Sequence, residues 1–511
     1  MNNKDKVIAY FCAEYALSPD LPIYEGGLGV LAGDYIREAA DEKIPMVGIG
    51  LFYNFNNTIK LDLANDAEGV PLQVEIPIQD KKVKAQVFIY KVGPVPVYLL
   101  DTNIEENEPS DRLITYKLYT EDKEVRLKQE LILGIGGMKV LEKLKINPSI
   151  YHLNEGHSAF LSLELIRHEM EERSMGFEEA IGLVRKKIVF TNHTLVAAGL
   201  EVFSNDLVSL MLANYAEELK IPVSEVVKLG LVQESSIFSM TMLALRMAGK
   251  VNAVSKLHSK KASEIWTNHP IIAITNGIHI NTWDKVKDIK NHKIHKEELL
   301  KYIQKETNVK WSSNDLLLGW ARRFVEYKRP LSILEDIDRF MTIAQNPKYP
   351  VKIVFSGEPH ENNEDGKEML QKLENLIKDK IGDSAVYLPH YNMNITEKMV
   401  AGCDVWLNTP IVGFEACGTS GMKAALNGVL PCSTRDGWVD EVDLNGIGWI
   451  LDTDHLSTNI LDVLEKDIVP MYYEHQEEWQ VRMQNARQMI LDKFSTERML
   501  REYMEKLYQP S

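Results

Sequence analysis

Ten short apolar segments, each followed by a longer amphipathic one, constrain the fold of this chain more than any other feature. They are Val7–Cys12, Pro45–Phe52, Ser149–Leu153, Lys187–Thr191, Pro270–Thr275, Leu316–Trp320, Val351–Phe355, Ala385–Leu388, Asp404–Leu407 and Val429–Cys432. Several are followed by Gly, Asn, His or Glu, as is typical of loops at the carboxyl ends of parallel strands. The alternation predicts an α/β protein with mainly parallel sheets.

The chain length requires more than one hydrophobic core. Because 511 residues exceed what one ordinary core supports, we expect two Rossmann-like domains, 1–283 and 316–485. Residues 284–315, rich in Lys, His and Asn, contain no clear core strand and are predicted to cross between them. The helical tail 486–511 is expected to pack back on the first domain.

Net charge and cysteine usage narrow the class of protein. The formal charge of -16 argues against general binding to nucleic acid or to anionic membranes. The sequence contains no run of about 18 apolar residues, so it predicts no membrane span. The four cysteines have neither a disulfide framework nor metal-ligand spacing. These features predict a cytoplasmic protein with reduced thiols and no bound metal.

A small-residue loop ending in lysine is the most specific chemical signal. Residues 415–423 (EACGTSGMK) follow a predicted buried strand, and we expect a short helix over Met422–Asn427. Small residues before a helix leave backbone N–H groups for an anion, whereas the helix dipole opposes a lysine in the first turn. That placement suits an amine that must lose its proton beside a phosphate, and pyridoxal 5'-phosphate requires both features.

Two further segments are candidate anion sites. In residues 25–29 (EGGLG), glycines allow close approach of the backbone to an oxyanion, although a tight structural turn explains them equally well. Residues 322–330 (RRFVEYKRP) place four cations between a predicted strand and a helix that Pro330 can begin. Four cations can neutralise two neighbouring phosphates, and a solvated charge run is the alternative.

Two histidines and one turn complete the candidate set. His157 and His193 each follow a predicted strand, where functional side chains gather, although either alone is more often structural. Asn276 and Gly277 form a predicted turn, and Trp283 follows it at a place where a sugar hydroxyl or a flat ring could be held.

Taken in order, these motifs resemble the α-glucan phosphorylase family of glycogen and maltodextrin phosphorylases, especially its short bacterial and archaeal branch. The resemblance runs from Phe11 to about Tyr508 and includes the segment 251–258 (VNAVSKLH). It implies a glycosyltransferase B-type fold with an interdomain active-site cleft. It also implies reversible, retaining phosphorolysis of terminal α-1,4-linked glucose of a glucan or maltodextrin, in which inorganic phosphate yields glucose 1-phosphate.

The resemblance also implies residue roles. Lys423 would bind pyridoxal 5'-phosphate covalently, with Trp283 lining the cofactor pocket and Thr419, Ser420 and Arg322 around the cofactor phosphate. Arg323, Lys328 and the N–H groups near Gly27 would bind inorganic phosphate. The substrate-binding residues would be Gly27, Leu28, His157, His193, Asn276, Tyr327, Glu415, Cys417 and Gly418, and the catalytic set would be Lys423, Arg323, Lys328 and His193.

Two departures from the family pattern keep other functions open. Cys417 stands where the family usually has serine, and Glu358 stands where it often has lysine. One alternative is a retaining sugar-nucleotide glycosyltransferase of the glycogen-synthase kind, which needs no such lysine. Another is a catalytically silent glucan-binding homologue, since a fold alone does not fix activity. No counterpart of the regulatory extension of animal enzymes is found, and a homodimer is an expectation from the family.

Overall fold

The computed structural model describes residues 7–195, 200–232 and 235–509, and the chain forms two compact units. Unit 1 comprises Met1–Val254, Ser259–Ile274 and Met499–Ser511, and unit 2 comprises Ser255–His258 and Thr275–Arg498. Residues 284–315, expected to form a crossing segment, therefore lie inside unit 2.

Unit 1 contains a ten-stranded sheet and a separate two-stranded ribbon. The strands of the large sheet are β1 (Ile8–Phe11), β2 (Met46–Leu51), β3 (Asp62–Leu63), β4 (Gln73–Ile78), β5 (Lys81–Val92), β6 (Val95–Asp101), β7 (Ile150–Asn154), β8 (Ile188–Asn192), β11 (Lys250–Ala253) and β12 (Ile271–Ala273); the ribbon pairs β9 (Val202–Ser204) with β10 (Ile237–Ser239). The order β12-β11-β8-β7-β1-β2-β6-β5-β3 is parallel from β12 to β6 and antiparallel beyond β6, where β4 also pairs with β5.

The parallel part of this sheet has the doubly wound topology. Sequence order reverses between β1 and β7, and ligands of such sheets bind at the carboxyl ends of the strands beside that reversal. The strands β1, β2, β7 and β8 are buried along their whole length, which explains their continuous apolar sequences.

Helices surround this sheet. In unit 1 they are α1 (Gly27–Asp41), α2 (Pro109–Arg112), α3 (Lys123–Leu131), α4 (Gly137–Lys143), α5 (Leu161–Arg173), α6 (Phe177–Val184), α7 (Asn205–Glu218), α8 (Val223–Gly230) and α9 (Met240–Met247). Two more, α10 (Lys256–Ile265) and α20 (Thr496–Glu502), contain unit boundaries, and a π-helical turn, Tyr503–Leu507, follows α20.

A polar network inside unit 1 joins the end of the chain to the sheet. The Tyr508 hydroxyl lies 2.5 Å from the Tyr35 hydroxyl and 2.6 Å from His152 Nδ1. His152 Nε2 lies 2.7 Å from Thr191 Oγ1, which donates to Asn252 Oδ1 at 2.6 Å. All five side chains are buried, and paired polar groups in a core fix one arrangement of the elements that carry them.

Unit 2 is built on a six-stranded, fully parallel sheet. Its strands are β13 (Leu316–Ala321), β14 (Val351–Ser356), β15 (Ala385–Leu388), β16 (Val405–Asn408), β17 (Leu430–Thr434) and β18 (Trp449–Leu451). The order β15-β14-β13-β16-β17-β18 is the 3-2-1-4-5-6 order of the dinucleotide-binding fold, with its reversal between β13 and β16. The expectation of an α/β fold with mainly parallel sheets is confirmed.

The helices of unit 2 differ in detail from the sequence expectations. They are α11 (Ile280–Trp283), α12 (His292–Thr307), α13 (Ile337–Ala344), α14 (Glu364–Leu376), α15 (Met393–Gly402), α16 (Thr419–Leu426), α17 (Leu456–Val463), α18 (Val469–Glu474) and α19 (Gln476–Lys493). Asn392, whose side chain accepts from the Ile395 N–H, caps α15.

Within the described ranges, every helix is too short or too polar to span a lipid bilayer.

Candidate active site

The reversal point of the unit 2 sheet holds a buried ion-pair cluster. Arg322 directly follows β13, and Glu415 lies in the loop after β16. Arg322 Nη2 is 2.8 Å from Glu415 Oε2, and Lys328 Nζ is 3.4 Å from the same oxygen. Arg322 also donates to Asn408 Oδ1 at the end of β16. Two cations therefore share one carboxylate at the edge where this topology binds ligands.

Burial tunes the charges of this cluster. Burial and the neighbouring Arg322 charge lower the pKa of Lys328 to about 8. The pKa of Glu415 lies below its ordinary value, because the attraction of Arg322 and Lys328 outweighs the effect of burial. Glu415 is therefore ionised, and one negative charge faces two positive ones. The excess positive charge suits an anionic ligand.

A close backbone approach fixes the position of Arg322. Gly357, which follows β14, has φ +115°, and a Cβ there would lie 1.9 Å from the Arg322 carbonyl oxygen. The Arg322 N–H donates to the Ser356 carbonyl at 3.1 Å. Only glycine permits both this conformation and this contact, so β14 locks the turn that presents the guanidinium.

Lys423 lies in the last turn of α16, and the prediction that it would lie in the first turn is wrong. The helix begins at Thr419 because Gly418, at φ +84°, ends the preceding loop in the left-handed region. The dipole therefore favours the lysine charge instead of opposing it. Lys423 is 4% exposed, and its Nζ lies 4.1 Å from the ring centroid of the fully buried Trp283.

The surroundings of Lys423 fit pyridoxal 5'-phosphate. The amine is buried against a flat indole face, and the first turn of the same helix begins with Thr419 and Ser420 and has no side-chain cap. First-turn N–H groups and two hydroxyls form an anion site about one helical turn from the amine. Gly421 lets this helix lie close to Trp438, since a Cβ there would lie 3.3 Å from the Trp438 ring, and Gly418 lies beside Arg322.

The basic residues that follow β13 lie in different environments. Arg323 is exposed, whereas Arg329 donates to the carbonyls of Thr409 and Pro410 at 2.8 and 2.7 Å. Arg329 therefore holds the neighbouring loop and is not available to a ligand. Pro330 does not begin a helix as predicted: a 3₁₀ turn at Ser332–Leu334 follows, and α13 begins only at Ile337.

Asn276 and Cys417 meet inside unit 2. Asn276 is 4% exposed, and its Oδ1 has no hydrogen-bond partner among the described residues. Burial raises the pKa of the Cys417 thiol far above its usual range, although a hydrogen bond from the Asn276 backbone opposes the shift. The thiol is therefore neutral. An unpartnered buried amide oxygen beside a weakly polar group is suited to a hydroxyl donor.

Glu358 has a local structural contact. Its Oε1 accepts the His390 N–H at 2.7 Å and lies 3.6 Å from His390 Nδ1. His390 has φ +58°, so the carboxylate supports a loop residue in a costly conformation. The side chains of Glu358 and His390 are 51% and 90% exposed, which makes their ion pair weak.

In unit 1, the EGGLG loop forms the start of α1. The helix begins at Gly27, an exposed residue at which a Cβ would meet no other atom within 4 Å, and Gly26 provides no side-chain cap. Glu14 Oε2 accepts the N–H groups of Glu25 and Gly26 at 2.9 and 3.1 Å. Leu28 is half-buried. The fifteen-residue helix thus presents the uncapped N–H groups of its first turn beside the reversal point of the sheet.

His193 follows β8 and is held by residues at the end of β7 and directly after it. His193 Nε2 lies 2.7 Å from Asn154 Oδ1, and its backbone N–H donates to Glu155 Oε2 at 2.7 Å. Burial raises the pKa of Glu155 to about 8, although the N–H groups of His193 and Gly156 oppose the rise. Glu155 is therefore largely protonated at neutral pH. Its φ of +71° is unusual for a residue with a side chain and fits a constrained site.

His157 belongs to a second buried cluster of unit 1. Arg126 Nη2 lies 2.7 Å from Glu201 Oε2 and 3.5 Å from Glu130 Oε1. Glu130, His157 and Glu201 have ligand-type atoms within 4.8 Å of one another, but the Arg126 guanidinium already supplies the positive charge there. Burial lowers the pKa of His157 to about 4 and raises that of Glu130 far above its usual range.

This cluster offers unused polar atoms. Glu130 Oε2 and His157 Nδ1 have no hydrogen-bond partner among the described residues. Tyr119 packs against the His157 ring at 6.0 Å between centroids. Neutral, unpartnered donors and acceptors beside an aromatic ring match the hydroxyls and C–H faces of a sugar.

Sequence reasoning placed most of the candidate residues at strand ends but missed several of their partners. Asn154 and Glu155 directly follow the predicted strand Ser149–Leu153, and that position was a usable signal. Arg126 and Glu130 gave no comparable signal, since charged residues on helices usually face solvent. Glu201 lies outside any predicted element and gave none either. The cluster forms only because α3 and the segment before β9 meet in the folded unit.

Comparison with known proteins identifies the family of the chain. The model of the family described as carbohydrate phosphorylase matches residues 104–284 and 279–445. The chain is 36% identical to a maltodextrin phosphorylase of Thermococcus litoralis, over 99% of this chain and 70% of that protein. It is 32% identical to a glycogen phosphorylase of Aquifex aeolicus (98% and 86%) and 31% identical to one of Mycobacterium tuberculosis (99% and 71%). The chain therefore belongs to the carbohydrate phosphorylase family.

Proposed function

We propose that this protein catalyses reversible phosphorolysis of terminal α-1,4-linked glucose of a glucan. In this reaction the bond between the anomeric carbon and the glycosidic oxygen breaks, and a phosphate oxygen bonds to that carbon. The shortened glucan leaves with the proton that phosphate carried. The products are glucose 1-phosphate, with retained configuration, and a glucan shorter by one residue.

The observation that carries this proposal is the positively charged cluster at the reversal point of the unit 2 sheet. Arg322 and Lys328 share the Glu415 carboxylate and leave one excess positive charge. The buried Lys423 lies on the helix that follows the same loop. A reaction in which an anionic nucleophile attacks an electron-poor carbon gains most from positioned cations.

We assign the chemistry to residues as follows. In unit 2, Arg323 and Lys328 bind and orient inorganic phosphate. In unit 1, the first-turn N–H groups of α1 near Gly27 are assigned to phosphate as well. Tyr327, Glu415, Gly418 and Asn276 hold the transferred glucose. His193, oriented by Asn154 and Glu155, and His157, in its neutral cluster, bind sugar hydroxyls of the substrate. Leu28 of unit 1 and Cys417 of unit 2 are also assigned to substrate binding.

We further propose that Lys423 holds pyridoxal 5'-phosphate, with Trp283 against the ring and Thr419, Ser420 and Arg322 around the phosphate. When bound, the cofactor supplies a phosphate that can exchange a proton with the substrate phosphate. The protein's part is to bring cations to both phosphates, which otherwise repel each other, and to hold the sugar. Lys328 is suited to this part because its lowered pKa rises again when an anion binds beside it.

A product assay separates this proposal from its alternatives. The purified protein is incubated with maltodextrin and phosphate, and separately with maltodextrin and nucleotide sugars. Glucose 1-phosphate from the first mixture, with no chain elongation in the second, is the expected result. Elongation only from nucleotide sugars would assign a glycosyltransferase, and bound glucan without turnover would assign a silent homologue.

The proposal also covers the cellular compartment and the oligomeric state of the protein. Cys12, Cys403, Cys417 and Cys432 are buried and form no disulfide, which suits a reducing compartment such as the cytoplasm. A homodimer is proposed from the family, and sedimentation of the purified protein tests it.

A further inference from the structure

An exposed apolar tip lies beside the candidate site of unit 2. Residues 411–414, here called the apolar tip, connect β16 to the loop that carries Glu415. Ile411 is 38% exposed, Val412 45% and Phe414 49%. Three large hydrophobic side chains in four residues expose apolar surface that folding alone would favour burying.

The tip is firmly anchored despite its exposure. The Ile411 N–H donates to the Tyr327 carbonyl at 2.7 Å, and the Phe414 N–H donates to the Ile411 carbonyl at 3.1 Å. The Glu415 N–H donates to Asp436 Oδ2 at 3.0 Å. The backbone is therefore ordered before any ligand arrives, and a ligand that binds there does not have to order it.

The polar surroundings of the tip favour a sugar over a protein partner. The rings of Phe414 and Tyr327 stack at 6.0 Å between centroids, with 28° between their planes. Lys328 Nζ lies 5.3 Å from the Tyr327 centroid, and Glu415 follows Phe414 in the chain. A flat apolar surface bordered by charged groups matches a pyranose, which has C–H groups on its faces and hydroxyls at its edge. Centres of protein–protein interfaces are instead depleted in charge.

We propose that Phe414, supported by Tyr327, is a platform for the glucose residue on the leaving-group side of the scissile bond. The inference rests on the proposed function, in which Glu415 and Tyr327 hold the transferred glucose. Phe414 is more exposed than either of them, so its outer face is available to a different sugar of the same chain. Phe414 would then determine how tightly the enzyme binds its glucan.

The synthetic direction tests the platform, because its two substrates occupy different sides of the scissile bond. Glucose 1-phosphate and a maltooligosaccharide acceptor are varied separately for wild type, Phe414→Ala and Phe414→Tyr. We expect Phe414→Ala to raise the acceptor KM roughly tenfold, as loss of a stacked aromatic contact does, and to leave the glucose 1-phosphate KM unchanged. Phe414→Tyr, which keeps the ring, should restore the wild-type value.

A matched control removes another exposed side chain of the same unit. Ile294 in α12 is 57% exposed, and Ile294→Ala should change neither KM.

Two results would overturn the platform. Equal rises of both KM values in Phe414→Ala would place the ring in the pocket of the transferred glucose. Two unchanged KM values would show that the ring lies outside the substrate site. A change of mass in solution on Phe414→Ala, with unchanged KM values, would show a protein interface instead. Absence of turnover by wild type would refute the proposed function itself, a result distinct from all of these.

Discussion

The candidate residues of the two units lie at equivalent points of the same topology but differ in charge. The parallel part of the unit 1 sheet and the whole unit 2 sheet each reverse their strand order once, and in both the candidate side chains lie near the carboxyl ends of strands close to the reversal. In unit 2, Arg322, Lys328 and Glu415 form a charged cluster. In unit 1, burial makes Glu155 and His157 largely neutral at neutral pH.

This difference teaches how one topology can serve two kinds of ligand. Cations that share one carboxylate keep a net positive charge and suit phosphate groups. Buried carboxylic acid and neutral imidazole groups offer both donors and acceptors without charge, which suits sugar hydroxyls. The charged cluster of unit 2 would then supply cations for phosphate, and the neutral groups around His157 and His193 in unit 1 would bind sugar hydroxyls.

The largest expected effect comes from removing the buried amine of Lys423 in unit 2. Lys423→Ala should lower phosphorolysis by at least about a thousandfold, because the proposed cofactor loses its attachment. Borohydride reduction followed by mass spectrometry should find pyridoxal phosphate on residue 423 of wild type and none on the variant. Lys296, also buried, is a control: it pairs with Asp404 at 2.5 Å, so no adduct is expected on it. An active, unlabelled Lys423→Ala enzyme would remove the cofactor assignment.

A pair of matched substitutions tests the contrast between the charged Glu415 of unit 2 and the largely neutral Glu155 of unit 1. Glu415→Gln removes the charge that two buried cations share, and breaking such a pair costs about 3–5 kcal/mol. We expect kcat/KM to fall by roughly a hundredfold. Glu155→Gln replaces a carboxyl that is already largely protonated at pH 7 and keeps an oxygen to accept the His193 N–H, so its kcat/KM should stay within about threefold of wild type.

Both outcomes are measured in one assay at pH 7, with circular dichroism to verify folding. Equal losses in the two variants would mean that Glu155 acts as an anion. The contrast between a charged cluster at Glu415 and a neutral group at Glu155 would then be wrong. Tolerance of Glu415→Gln would show that the charge of the cluster is not used.

The pH dependence of phosphate use gives a smaller effect. Because the pKa of Lys328 is lowered to about 8, its charge is complete below that pH and is lost as pH rises through it. The kcat/KM for phosphate should therefore fall about tenfold per pH unit well above pH 8, since this parameter reports the free enzyme. Lys328→Arg stays charged throughout, and its profile should lack this fall. An unchanged profile in the variant would assign the titration to another group.

Much of the fold could be predicted because buried parallel strands are short, apolar and bounded by turns. The antiparallel part of unit 1 was missed. Its longest strand, Lys81–Val92, alternates lysines with apolar residues and resembles a solvated edge. The start of α16 was placed three residues late because Thr419–Gly421 reads as loop, and only the left-handed Gly418 shows that the helix begins there.

The partners of the candidate residues were harder to predict than the residues themselves. Motifs at strand ends identified His157 and His193, since local sequence signals a strand and its exit. The Arg126–Glu201 ion pair spans 75 positions, and the Tyr508–His152 contact spans 356. Such contacts depend on how distant elements pack, and no local pattern encodes that.

The smallest effect concerns the polar network that joins the chain end to the unit 1 sheet. Tyr508→Phe leaves the Tyr35 hydroxyl and His152 Nδ1 without their shared partner, and a lost buried partner costs about 1–3 kcal/mol. Native-state hydrogen exchange should show faster opening of residues 499–509 and of β7, with little change in unit 2. Tyr116→Phe, at a 45% exposed tyrosine, is the matched control and should leave exchange unchanged.

The same network should also respond to pH. Burial keeps His152 neutral by lowering its pKa to about 3. Opening should therefore become easier as pH falls below about 6.5, because the histidine of the unfolded chain binds a proton there and the folded one does not. Opening that stays constant as pH falls from 7 to 5, after correction for the intrinsic exchange rate, would contradict a neutral His152.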